Sequence, residues 1–262
     1  MSDTAVRVSG LSLAFGDREI LRDVSFDVAH GDFLCVIGKN GAGKSTLFKC
    51  IAGICRNYRG AIEIAGRSIR RMKPRELAQR VAFVPQTAPD DMPYTVAEFL
   101  EMSRYPWKNA ASRAADRRAA QRAIELTALT ELADRRLNRL SGGERQRVMI
   151  AAAVAQETEI VLLDEPTTYL DYAHQIETMR LIAQIKRERN LTALAVTHDI
   201  NTARRLAQSV LAMRDGQIAW RGTPQELLDP DRLREIYGVA FRLYYPQEGG
   251  EAPLAAPFGA AQ

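Results

Sequence analysis

The chain has 262 residues, 46% hydrophobic and 7% aromatic, with a formal net charge of +4. That length can bury one large core or two small ones, and the charge excess falls short of the concentrated basic face that a nucleic-acid binder needs. No apolar run approaches the ~18 residues of a membrane span, and the start "MSDTAVRVSG" lacks the basic and apolar regions of a signal peptide.

A soluble chain is therefore expected, held at any membrane by another protein. Cys35, Cys50 and Cys55 have no metal-ligand spacing and read as buried, reduced thiols. The first thirty residues alternate apolar and polar in "VRVSGLSLAF" and "LRDVSFDV", the pattern of antiparallel strands with one wet face. "DFLCVIG" is instead a continuous apolar run into a glycine-rich turn, followed by the helical "KSTLFKCIAG". Strand, turn and helix in that order begin an α/β unit.

Further apolar runs at "VAFVP" (81–85), "EIVLLDEP" (159–166) and "TALAVTHD" (192–199) are separated by helical patterns, so a parallel sheet is predicted. "IEIAG" near 62–66 and "VLAMRDGQIAWRG" near 210–222 read as peripheral strands, the second turning at Asp215-Gly216. From about 88 to 142 the pattern is helical and arginine-rich, with Asp116, Glu125, Glu131 and Asp134 among the acids that oppose the arginines. It reads as an inserted helical subdomain whose charges form a solvated face rather than a docking surface. The predicted domain covers 5–243, and the Pro-, Gly- and Ala-rich 244–262 is predicted to be a loose tail.

"GKNGAGKST", Gly38 to Thr46, carries its glycines where a backbone must curl around phosphate. Amides of Gly41 to Thr46 would form a nest for the β-phosphate, and the following helix adds its N-terminal partial charge. Lys44 offers a point charge to the β- and γ-phosphates, and the Ser45 hydroxyl a ligand to Mg2+. "IVLLDEP" delivers Asp164 at the end of a buried strand, suited to hold Mg2+ through its water shell. Glu165 follows, aimed elsewhere by strand alternation and suited to polarise an attacking water. Gln86 and His198 each lie just past a strand's carboxyl end, the ligand-binding edge of such sheets. Either alone would read as a loop cap; their shared position favours contacts of Gln86 with water or Mg2+ and of His198 with a γ-phosphate. "SGGE" is a capping box, Ser141 with Glu144, opening the helix "ERQRVMIAAAVAQ".

"GKNGAGKST", Gln86, "LSGGERQ", "IVLLDEP", "TYLD" and His198, in this order, resemble the nucleotide-binding subunits of ABC transporters. The resemblance runs from about residue 5 to 243 and implies an α/β P-loop NTPase (RecA-like) core with a mainly parallel sheet, an N-terminal antiparallel β-subdomain and an inserted helical subdomain. It puts ATP on Gly38, Asn40, Gly41, Gly43, Lys44, Ser45 and Thr46, adenine against Phe15, and Mg2+ on Ser45, Gln86 and Asp164. It implies a head-to-tail homodimer in which Ser141, Gly142 and Gly143 contact the γ-phosphate of the opposite subunit's ATP, and Asp171 lies in the loop crossing to that subunit. Phe15 stands where many members carry Tyr, and "TYLD" departs from the commoner "SALD" by the bulkier Tyr169.

"TVAEFLEMSRYPW", "LDEPTTYLDYAHQIE", "THDINTARR" and "LREIYGV" resemble the ATPases of importers for iron(III)–siderophore complexes, with haem and cobalamin importers as the alternative. The implied partners are an integral membrane permease and, indirectly, a solute-binding protein, with no nucleic acid. The implied place is the cytoplasmic face of the membrane, peripherally. A soluble non-transport ABC ATPase fits less well, because the chain has one cassette, no sustained heptads and no zinc-ligand spacing.

Overall fold

The computed structural model describes residues 4–87, 92–108, 112–168, 170–245 and 253–258. The chain runs β1 (Thr4–Phe15), β2 (Arg18–Ala29), β3 (Phe33–Gly38), α1 (Lys44–Ile51), β4 (Arg59–Ile64), β5 (Arg67–Ser68), α2 (Pro74–Ala78) and β6 (Val81–Val84). It continues α3 (Val96–Met102), α4 (Arg113–Leu126), α5 (Gly142–Ala155), β7 (Ile160–Asp164), α6 (Tyr172–Arg189) and β8 (Thr192–Val196). Last come α7 (Ile200–Leu206), β9 (Ser209–Arg214), β10 (Gln217–Gly222), α8 (Pro224–Leu227), α9 (Pro230–Tyr237), β11 (Phe241–Tyr244) and β12 (Leu254–Pro257). Two compact units divide it, Met1–Gly66 with Leu194–Gln262, and Arg67–Ala193.

In the first unit β1 pairs antiparallel with both β2 and β4, as the alternation predicts. Val6, Val8, Leu11 and Leu13 of β1 and Leu21, Val24, Phe26 and Val28 of β2 are buried, while intervening polar residues face outward. β3 is buried along its whole length and pairs in parallel with β9, Leu34 opposite Ser209. β9 is thus not peripheral: Val210 to Met213 are all buried, which an apolar run covered on both faces requires. Its hairpin partner β10 alternates between half-buried and exposed residues and turns at Asp215 (φ 50°) and Gly216 (φ 80°).

The predicted loose tail needs correction. Leu254–Pro257 is a strand, paired antiparallel with β11 from Phe241↔Pro257 to Tyr244↔Leu254, and Ala255 is buried. Composition weighed Pro, Gly and Ala as signs of disorder, but small alanines also let a strand approach closely. Residues 246–252 and 259–262 lie outside the described residues.

In the second unit β6 pairs in parallel with the fully buried β7, Val81 opposite Ile160. The helices α3, α4 and α5 pack on one another, so the helical part reaches Ala155 rather than stopping near 142. Its arginines are not all solvated. Arg117 is 73% exposed, but Arg104 is 5% exposed and pairs with Asp116 at 3.1 Å and Glu157 at 2.9 Å. It also donates to the Ala155 carbonyl at 2.9 Å, and the Trp107 indole donates to the Gln156 carbonyl at 2.7 Å. A buried charge survives only when paired and hydrogen-bonded, so Arg104 ties α4 to the end of α5. Removing one partner of such a network costs roughly 3–5 kcal/mol. Cys35 and Cys50 are buried as expected, and burial pushes the Cys50 thiol up to about 12, whereas Cys55 is only half-buried.

Candidate functional site

The phosphate loop joins β3 to α1. Gly38 ends the strand at φ 138°, and a Cβ there would run into the carbonyl of Met213 on β9. Only glycine satisfies both the angle and the approach. Gly43 is the N-cap of α1, and no side chain caps that helix. An anion at this helix start therefore meets no competing side-chain acceptor. Lys44 is 5% exposed and its Nζ donates to the carbonyls of Gly38 at 2.9 Å and Lys39 at 2.8 Å. Its charge is held inside the curl formed by Asn40, Gly41 and Gly43, with Ser45 and Thr46 in the first turn of α1.

Beside Gly41 opens a cleft of about 540 Å³, lined chiefly by Asp17, Arg18, Glu19, Arg22 and Asp215 from the β1–β2 and β9–β10 turns. Sequence reasoning passed over these charged residues, since charges at hairpin turns read as solvated. Phe15, 58% exposed, ends β1 immediately before the first of these turns. His198 is exposed just beyond β8. The amide of its neighbour Thr197 donates to the Val36 carbonyl at 3.1 Å, which fixes this segment against the strand that feeds the phosphate loop.

In the second unit β7 delivers Asp164, 3% exposed. Strand alternation does not carry through Glu165: β7 stops at Asp164, and Glu165 turns left-handed at φ 49°. A non-glycine residue held there carries local strain, a condition that concentrates at functional sites. Parallel pairing of Val84 with Leu163 places Gln86 and Glu165 each two residues beyond it, and they meet. Gln86 Nε2 donates to Glu165 Oε2 at 2.9 Å, and the Thr168 hydroxyl donates to the same oxygen at 2.8 Å. Thr168 was missed in the sequence; its only signal was its place three residues after Glu165.

The turn at "LSGGERQ" (140–146), hereafter the signature turn, is built as the capping box predicts. Ser141 N–H donates to Glu144 Oε2 at 2.7 Å, and Ser141 Oγ accepts from Glu144 N–H at 3.3 Å. The Ser141 amide, then its hydroxyl, then the charges of Arg135 and Arg147 hold the Glu144 carboxyl below the usual range. A Cβ on Gly143 would lie 2.7 Å from the His174 ring, whereas one on Gly142 would meet nothing within 4 Å. Gly143 thus serves the chain's own packing, and Gly142 is open. Asp171 caps α6, accepting from His174 N–H at 2.9 Å and lying 2.8 Å from its Nδ1. The His174 amide is the main cause holding the Asp171 carboxyl below its ordinary value. Tyr169 lies outside the described residues.

A family model described as ABC transporter matches residues 21–168, more than half the chain. The chain belongs to the ABC transporter family. The iron(3+)-hydroxamate import ATP-binding protein FhuC of Bacillus subtilis is 39% identical over 87% of this chain and 86% of its own length. The ferric enterobactin transport ATP-binding protein FepC of Escherichia coli is 35% identical over 99% of this chain and 97% of its own. Among solved structures, an inward-facing metal-chelate type ABC transporter superposes with a TM-score of 0.85 at 29% identity, covering 98% of both chains. A dimeric, post-hydrolysis ATP-binding cassette bound to ADP and Pi superposes at 0.74 with 27% identity, covering 84% of this chain and 98% of its own. The α/β P-loop fold predicted from sequence is therefore the fold of the chain, and this ABC subunit is an ATPase.

Proposed function

We propose that this ABC ATPase energises the import of iron(III)–siderophore complexes through a separate membrane permease, working as a homodimer at the cytoplasmic face of the membrane. The observation that carries the hydrolytic part is the Glu165 carboxylate, turned out of the sheet by a left-handed residue and gripped by Gln86 and Thr168. Such a grip fixes the orientation of a general base before any water arrives.

The phosphates of ATP take the amides of Gly41 to Thr46, and Lys44 exchanges the carbonyls of Gly38 and Lys39 for the β- and γ-oxygens. Phe15 offers its ring to adenine. For Mg2+ the family resemblance assigns Ser45, Gln86 and Asp164, which would supply hard oxygen donors, with the Gln86 amide nitrogen engaged with Glu165. When bound, the ion neutralises phosphate charge. His198 donates to the γ-phosphate, and Glu165 takes the proton of the attacking water. Ser141, Gly142 and Gly143 of a second copy receive the same γ-phosphate, with Asp171 in the crossing loop. The open side of Gly142 favours that reading, as does a dimeric relative of known structure. The siderophore assignment rests on FhuC, FepC and the metal-chelate type transporter together.

Glu165→Gln should keep ATP binding and lower turnover by at least ~10²-fold; hydrolysis at the parent rate would overturn the base assignment. For the solute, deleting the gene should abolish uptake of ferric siderophores and spare uptake of haem. Loss of haem uptake with siderophore uptake intact would move the assignment to the alternative.

A further inference from the structure

Strand β12 is hydrogen-bonded to the first turn of α7 through the Asn201 side chain. Asn201 Nδ2 donates to the Ala255 carbonyl at 3.1 Å, and Ala255 N–H donates to Asn201 Oδ1 at 3.0 Å. Ala255 lies opposite Leu243 of β11, but these backbone groups turn away from that partner. The asparagine amide thus satisfies both groups as a neighbouring strand would.

Asn201 is also fixed at its own backbone. Its N–H donates to Asp199 Oδ1 at 2.9 Å, and Asp199 Oδ2 takes the Thr202 hydroxyl at 2.6 Å. Asp199 N–H donates to the Thr197 hydroxyl at 3.1 Å. Thr197 in turn bonds to Val36 of β3 at 3.1 Å. A continuous run of hydrogen bonds therefore passes from β12 to Thr197 and Asp199, the two residues flanking His198.

The preceding helix reaches the phosphate loop from the same segment of chain. A Cβ on Gly238, just past α9, would lie 2.6 Å from Lys39 Nζ. The Tyr237 hydroxyl is buried and faces the Gly38 backbone without a bond of good geometry. A helix of seven residues such as α7 does not hold its own orientation. It is set by what the helix packs on and bonds to: Ile200 and Ala203 are buried, and Asn201 supplies the bonded link to β12.

We propose that Asn201 is a positioning residue for ATP hydrolysis, its clasp on β12 holding residues 197–199, and with them His198, in register with the phosphate loop. The inference rests on His198 acting at the γ-phosphate. It assigns the C-terminal hairpin a part in turnover that requires no contact between the hairpin and nucleotide.

Three full-length variants test it: Asn201→Ala, Ala255→Pro and the two combined, with His198→Ala as reference. Ala255→Pro removes one donor on the outer edge of β12, where proline is tolerated. Each single variant should lower kcat, by up to the ~10²-fold that ångström-scale misplacement costs, with KM for ATP and the thermal midpoint near those of the parent. The double variant should be no slower than the slower single, because both remove one clasp. Asn201→Asp, which keeps the acceptor and loses the donor, should fall between parent and Asn201→Ala. Parent kcat in Asn201→Ala and Ala255→Pro, while His198→Ala is impaired, would overturn the clasp and leave the nucleotide site standing. A raised KM with unchanged kcat would overturn it too. Parent turnover in His198→Ala would instead remove the reading on which the inference depends.

Discussion

The phosphate loop and the signature turn are both glycine-rich helix starts, yet they are built on opposite plans. In the phosphate loop no side chain caps α1, and the buried Lys44 amine rests on the carbonyls of Gly38 and Lys39. In the signature turn α5 is capped twice over by Ser141 and Glu144, and only one of its two glycines is needed by the chain itself. The first arrangement reserves a backbone nest for an anion. The second has bonded the amides of Ser141 and Glu144 and presents an open glycine outward. On the proposed reading, two loops of similar composition serve as a phosphate cradle and as a surface for closing on a second copy.

The glycines separate the two plans most sharply. Gly38→Ala should be the most damaging, since it combines a left-handed φ with a collision against β9. Backbone strain alone costs roughly 1–3 kcal/mol, read as a lowered midpoint in thermal or urea denaturation. Gly143→Ala should destabilise less, by about 1 kcal/mol, as the His174 ring can shift to relieve a 2.7 Å contact. Gly142→Ala should do the reverse: alanine is the better helix former by ~0.5–1 kcal/mol, so the fold should gain stability while ATPase activity falls. A Gly142→Ala chain with lower stability and full activity would erase the distinction.

The smallest expected effect is on acid stability. Because Ser141 holds the Glu144 carboxyl below its usual range, the capping box adds stability above the ordinary glutamate value of about 4.3. That contribution is lost as pH falls through the lowered folded value. Glu144 is 27% exposed, so solvent screens part of it. Glu144→Gln keeps an acceptor for the cap but should flatten the dependence of the melting midpoint on pH below that range.

What the sequence made legible was contiguous. The phosphate loop, the run ending at Asp164 and the box at Ser141 are short patterns whose geometry is dictated within a few residues. What it hid was long-range. Gln86 meets Glu165 because of strand register, 79 residues apart. His174 explains Gly143, and Arg104 is an inward anchor among arginines that are otherwise solvated. The left-handed turn at Glu165 was not foreseen, since such a residue after a strand leaves no periodic trace. β12 was lost to composition, and with it the clasp on Asn201.

The central claim is that the signature turn completes the site of a second copy. The most direct measurement is the molar mass of the Glu165→Gln chain by light scattering, with and without ATP and Mg2+. The account predicts that mass doubles with ATP, and that adding Ser141→Arg abolishes the doubling while each chain still binds nucleotide. A mass that stays at one chain in saturating ATP, or a Ser141→Arg chain that still doubles, would contradict it.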